Sequence, residues 1–188
     1  MDRESTLDED ASIARALAGD TGAFASLVRR HQGRVFGFIL RMTGMRDEAM
    51  DLTQDTFMKA WQALPGWRPD ARFGTWLLQI ARNAALDALR RRQAVQFAPL
   101  DDALAVADLR PGPEEIFAQG QRRARLEATL ARLPDEQREI LLLREIEGLS
   151  YGELAEVLGV QEGTVKSRLA RARAALSERL QRATGEGA

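Results

Sequence analysis

Apolar positions along this chain recur at intervals of three and four, and no segment shows the strict alternation of a half-buried strand. That is the period of helices packed on one side, so the expected fold is all-α. The clearest stretch is residues 148–176. Ser150 stands as an N-cap, and Glu153, three residues on, completes a capping box. Leu154, Ala155 and Leu158 form an apolar stripe, and Gly159 ends the helix where a left-handed backbone costs little. A second helix starts near Gln161 or Glu162, with Val165, Leu169, Ala172, Leu176 and Leu180 on one face. Glu162, Gly163, Lys166, Ser167, Ala170 and Arg171 lie off that face. A small residue at 155, Gly at the turn and an apolar residue at 165 fit a helix-turn-helix, whose second helix enters the DNA major groove. An ordinary αα-hairpin shares the capping box and the Gly. Charge tilts the balance: from Gln161 to Arg182 there are six Lys/Arg against Glu162 and Glu178.

The rest of the chain follows the same period. Ala11 to Leu17 reads as a short first helix ended by Gly19-Asp20. From Thr21, the positions Phe24, Leu27, Val28, Val35, Phe36, Ile39 and Leu40 are helical, with Gly44 as a stop and Asp47 as a cap for the next helix. That helix puts Ala49, Leu52, Thr53, Thr56, Phe57, Ala60 and Leu64 on one side, and Asp51, Gln54, Asp55 and Met58 largely on the other. Pro65-Gly66 breaks it, and the loop from Pro65 to Gly74 resists regular structure. Thr75 is placed to cap the following helix. There Trp76, Leu77, Ile80, Ala84 and Ala88 look inward, while Arg82, Asn83, Asp87 and Arg90 look outward. Residues 93–118, with three Pro, lose the periodicity and read as a linker. Beyond it lie one helix closed by Leu133-Pro134 and another opened by Asp135, whose core face is Ile140, Leu141, Leu142 or Leu143, and Ile146. The expected division is an acidic N-terminal segment (1–20), a helical domain (21–92), a linker (93–118), a second helical domain (119–182) and a tail (183–188).

The overall net charge of −1 conceals a pattern of −4 for residues 1–20, +6 for 21–92, −4 for 93–118 and +2 for 119–182. Two basic segments around an acidic one suggest two contacts with a polyanion. Zero Cys rules out disulfides and thiolate metal sites, and a single His, His31, rules out a paired-His centre. An isolated His on a helix reads as structural. Adjacent carboxylates in a loop, Asp101 and Asp102, do not converge on a substrate. Hence no catalytic residue, no metal and no cofactor is expected. The acidic N-terminus is not a secretory signal, and no apolar run approaches the roughly 20 residues of a membrane span. A cytoplasmic protein without membrane insertion is expected.

With both basic segments in view, the chain resembles the sigma-70 superfamily, specifically the small extracytoplasmic-function sigma factors. The resemblance lies in DEAMDLTQDTFMKAW and RFGTWLLQIARNAALDALRRR, then in LPDEQREILLLREIEGLSYGELAEVLGVQEGTVKSRLARARAAL, together spanning most of residues 21–180. It implies a bacterial promoter-specificity subunit, not an enzyme, that binds core RNA polymerase. Domain 2 of this family docks on the β′ clamp helices and reads the −10 element as melted strand. Domain 4 sits on the β flap and reads the −35 element as duplex. Carried over by position, Asp51, Gln54, Asp55 and Met58 match the polymerase-binding face. Asn83 matches a base-contacting amide, with Arg82 beside it and Trp67 available to stack on a base. Arg144, Lys166, Ser167, Ala170 and Arg171 match the −35 contacts. Ala170 and Gln161 depart from the family pattern, since Ala offers only a small apolar surface and Gln caps poorly.

The acidic linker resembles the family's nucleic-acid mimic in a basic channel, with Asp101, Asp102 and Asp108 as its carboxylates. Many members are held inactive by an anti-sigma factor, which the resemblance offers as a further partner. Two other classes fit parts of the chain. An autonomous helix-turn-helix regulator needs only the second domain and leaves residues 47–92 unexplained. A phospho-signalling adaptor would add a receiver domain, and no βα alternation is present.

Overall fold

The computed structural model describes residues 3–69, 72–96 and 124–185, and all regular structure in them is helical. Four helices form the first unit: α1 (Arg3–Leu17), α2 (Thr21–Thr43), α3 (Arg46–Ala63) and α4 (Phe73–Gln96). A second unit follows, with α5 (described over 124–131), α6 (Asp135–Leu141), α7 (Tyr151–Leu158) and α8 (Glu162–Gly185). Most of the acidic linker, with Asp101, Asp102 and Asp108, lies outside the described residues.

Helix α1 is longer than its apolar pattern suggested. Glu9, in its second turn, pairs with Arg30 and with His31 of α2. Ile13 and Ala16 are buried against the same bundle. Asp20 caps α2 by accepting the Ala23 N–H at 3.0 Å, and Gly44 ends it in the left-handed region. Asp47 does not cap α3. Met45 holds the cap position, and Asp47 and Glu48 sit in the first turn, where they favour the helix dipole. Likewise Arg72, not Thr75, precedes α4, its carbonyl accepting the N–H groups of Thr75 and Trp76. The core of this unit is Leu27, Val35, Phe38, Ile39, Met42, Leu52, Leu64, Leu77 and Leu78, backed by alanines 49, 60, 81, 84, 85 and 88 that let helices approach closely.

In the second unit the helix of Asp135 widens into a π-type turn at Leu142–Ile146. The Glu147 N–H reaches Leu142 O, five residues back, at 3.0 Å. An extra residue in the turn shifts the phase of the helix. Ile140 to Leu143 are therefore all buried in succession, and Ile146, expected in the core, is 49% exposed. The capping box at Ser150 and Glu153 forms as expected, and Gly159 takes φ 65°. Val165, Leu169 and Ala172 of α8 close the core.

The two units pack on each other, α4 against α7 and α2 against α6. Arg138, only 9% exposed, lies at this seam. It donates to Leu130 O at 3.1 Å, Leu133 O at 3.0 Å and Ala131 O at 2.5 Å in its own unit, and to Met42 O at 2.6 Å across the seam. Burial lowers its pKa and Asp135, 3.7 Å away, opposes that; a guanidinium stays charged regardless. Arg138→Met should lower the free energy of unfolding by about 2–4 kcal/mol, because several buried carbonyls lose their donor at once. Urea titration followed by circular dichroism measures this, and a loss under about 0.5 kcal/mol would count against it.

His31 is buried, with Nε2 donating to Glu9 Oε1 at 3.0 Å and its ring against Phe73. Burial lowers its pKa, the Glu9 carboxylate opposes this, and Arg34 and Arg30 add to the lowering. A histidine whose folded pKa lies below its unfolded value contributes stability above about pH 6.5 that is lost on acidification. Between roughly pH 7 and pH 5, the melting temperature should therefore fall more steeply for the unaltered chain than for His31→Gln. Parallel curves would show that His31 carries none of the dependence.

Candidate nucleic-acid interface

The helix-turn-helix is built as its sequence requires. Ser150 Oγ accepts the Glu153 N–H at 3.2 Å and Glu153 Oε2 accepts the Ser150 N–H at 2.8 Å. Val165 and Leu169 anchor α8, so Lys166, Ser167, Ala170 and Arg171 are exposed together on its outer side. Ser167 Oγ donates to Thr164 O at 3.0 Å, and Arg171 Nε donates to Ser167 O at 3.4 Å. Gln161 O accepts the N–H groups of Thr164 and Val165, which opens the helix without help from its side chain.

One residue of this face escaped the sequence reading. The chain's single Tyr, Tyr151, has the Arg144 guanidinium 5.1 Å and the Lys166 ammonium 6.0 Å from its ring centre. Arg144 also donates to Leu149 O. The ring thus fixes two cations from different helices on one side of the motif. The clue in the sequence was an aromatic residue in the first turn of a helix whose other large side chains face the core.

The first unit offers two further surfaces. On α3, Asp51, Gln54, Asp55 and Met58 are exposed, Met58 by 54%. Gln54 and Met58 border a groove of about 730 Å³ between α2 and α3, floored by Phe24, Val28, Phe36 and Trp61. Met50, 55% exposed, flanks it. Trp61 is half-buried in that groove, its ring tilted on Phe24 at 4.9 Å.

The remaining candidates are not equally accessible. Asn83 is exposed. Trp67 is half-buried, edge-on to Phe73 at 5.8 Å and tilted toward Trp76 at 6.4 Å, and its buried Nε1 has no hydrogen-bond partner among the described residues. Arg82 does not look outward. Its side chain is 16% exposed and binds Glu139 of α6 in bidentate fashion, at 2.8 and 3.1 Å.

The sigma-70 region 2 family matches residues 27–95 and the sigma-70 region 4 family residues 123–176. The sigma-H factor of Pseudomonas aeruginosa is 38% identical over 178 residues, covering 90% of this chain and 92% of that protein. The chain belongs to the extracytoplasmic-function sigma factors. Also similar are the factor SigM of Mycobacterium tuberculosis, 39% identical over 89% of this chain and 82% of its own, and CnrH solved in complex with the cytosolic domain of CnrY. The CnrH structure has a TM-score of 0.67 and 32% identity, covering 93% of this chain and 97% of that one. RpoE of Bartonella quintana, solved with the anti-sigma factor NepR, gives 0.68 and 28% over 84% and 96%. As a sigma factor the protein is a non-enzymatic initiation factor. No described helix is long and apolar enough to cross a membrane, and no metal-ligand cluster occurs among the described residues.

For this sigma factor, Lys166→Ala and Arg171→Ala should each weaken binding of domain 4 to a −35 duplex within the holoenzyme. A phosphate contact predicts a loss of about one in the slope of log affinity against log salt, and a base contact a cost of about 1–3 kcal/mol confined to one position. Fluorescence anisotropy across a salt series distinguishes these outcomes. An unchanged affinity and slope for both variants would remove α8 from the interface.

Proposed function

We propose that this sigma factor directs core RNA polymerase to a set of alternative promoters of the stress or envelope type, acting in the cytoplasm under the control of an anti-sigma factor. The single observation that supports this best is the presence on one chain of two separate exposed faces of the right chemistry. One is the apolar groove between α2 and α3 with its polar margin, and the other is the cationic outer side of α8.

The roles divide by surface chemistry. Gln54 and Met58 border the groove, and Asp51 and Asp55 are exposed on the same helix, which suits a helical partner that buries an apolar ridge and pairs its polar flank. That partner is the β′ clamp of the polymerase, and the β flap receives domain 4. Lys166, Ser167, Ala170 and Arg171, with Arg144 held by Tyr151, read the −35 duplex. Asn83, Arg82 and Trp67 serve the melted −10 strand. Binding energy for displaced bases, with that of the polymerase, drives melting, so no catalytic group is needed. Residues 21–92 act as the polymerase and −10 domain and 119–182 as the −35 domain, with 93–118 as the linker between them. Similar proteins whose solved structures contain a second protein, CnrH with CnrY and RpoE with NepR, support the anti-sigma partner.

The reading is tested by run-off transcription from a promoter library with core polymerase. The unaltered chain should yield specific transcripts that core enzyme alone does not. Met50→Asp with Met58→Asp should weaken holoenzyme assembly about tenfold or more, because two apolar contacts at the groove are replaced by charges. Tight duplex binding by the isolated chain with no specific transcript would favour an autonomous helix-turn-helix regulator.

A further inference from the structure

The large apolar side chains that this protein leaves in solvent are mostly methionines. Among the described residues, Met45, Met50 and Met58 are 50%, 55% and 54% exposed, and only Leu17 and Ile146 stand with them. The remaining described methionine, Met42, is fully buried in the core of the first unit. Exposure is therefore a property of particular methionines and not of the residue type.

Two of the three share one place. Met50 and Met58 lie two turns apart on α3, about 12 Å along its axis, and both line the groove between α2 and α3 with Gln54 between them. Met45, at the N-cap of α3, does not line it. A thioether suits such a wall, because it is flexible and polarisable and adapts to the ridge it meets. It is also the side chain that a peroxide attacks first in a chain with no Cys.

We propose that Met50 and Met58 form a reversible oxidation site, at which hydrogen peroxide turns one wall of the groove into sulfoxides and so keeps the chain off core polymerase. The inference rests on the sigma-factor reading for the identity of the partner in the groove. In the forward step a sulfur lone pair attacks one oxygen of the peroxide. The O–O bond breaks, an S–O bond forms, and the other oxygen takes the proton of the first and leaves as water. Sulfur gives up two electrons and the peroxide gains them. The return step uses a dithiol, which is oxidised to a disulfide while the sulfoxide oxygen leaves as water. Methionine sulfoxide reductases carry it out, one enzyme for each sulfoxide epimer.

The effect on docking follows from what the product must bury. A thioether loses little hydration against an apolar ridge, whereas a sulfoxide oxygen is a strong acceptor that needs a donor. The groove offers few. Its polar side chains are Gln32, Thr53 and Gln54, and the Thr53 hydroxyl already donates to Ala49 O at 2.6 Å. Both sulfurs are open on the free chain and covered once a partner sits in the groove, so the oxidant acts on the unbound pool.

The test treats the full chain with hydrogen peroxide and follows each methionine by peptide mass mapping. Met45, Met50 and Met58 should oxidise well before Met42. Affinity for core polymerase, read by fluorescence anisotropy of the N-terminally labelled chain, should fall about tenfold or more, since two sulfoxide oxygens are buried without donors. Reductases for both epimers with dithiothreitol should restore it. Each variant is compared with its own unoxidised form. The loss should vanish in Met50→Leu with Met58→Leu, where Leu keeps the apolar volume and resists peroxide, and should persist in Met45→Leu. Core polymerase added before the peroxide should slow oxidation of Met50 and Met58. Helicity by circular dichroism should not change. Oxidation of Met42 as fast as Met50, an equal loss in the double Leu variant, a fall in helicity matching the loss, or full affinity after both sites are mapped as oxidised would overturn the proposal. An unoxidised chain with no affinity for core polymerase would sink the sigma-factor reading and the proposal with it, and the untreated sample alone reveals that case.

Discussion

The Arg138 guanidinium is the contact on which the arrangement of the two units turns. A buried cation must be satisfied completely, and here main-chain carbonyls from both units supply the acceptors. The carbonyl of Met42 is one of the last of α2, which the helix itself leaves unpaired. The other three come from the last residues of α5, Leu130 and Ala131, and from Leu133 in the turn that follows. One side chain therefore ties the end of α2 to the end of α5 and sets where α6 lies on the first unit. With α6 placed, Glu139 and Glu147 arrive opposite Arg82 and Arg34.

What surrounds Arg138 at the seam is polar, and that determines how firmly the units hold together. A desolvated ion pair gains strong attraction but loses hydration of both partners, so its net contribution is small even when its geometry is good. Burial raises the pKa of Glu139, with the Arg82 hydrogen bonds opposing, which marks the hydration lost there. Burial pushes the same way at Glu153. There the Ser150 N–H and hydroxyl, Thr75 and Arg72 prevail and hold the carboxyl below the usual range. The association is thus specific in register and modest in strength.

The helices themselves were legible in the sequence because their signals are local. The period of apolar residues, the Ser150–Glu153 capping box, Gly44 and Gly159 act within a few residues, and each appears where expected. The exposed face of α8 followed from its buried face, and so did Asp51, Gln54, Asp55 and Met58 on α3. Other features depend on partners far along the chain. Arg82 meets Glu139 across 57 residues and Arg34 meets Glu147 across 113, and no periodicity encodes such pairs. Arg82 was placed outward because its own helix puts it off the core stripe; the second unit then covers it. Ile146 was placed inward by counting 3.6 residues per turn through a segment that has more. The half-buried setting of Trp67 depends on Phe73 and Trp76 across the loop, which its own position in the chain does not encode.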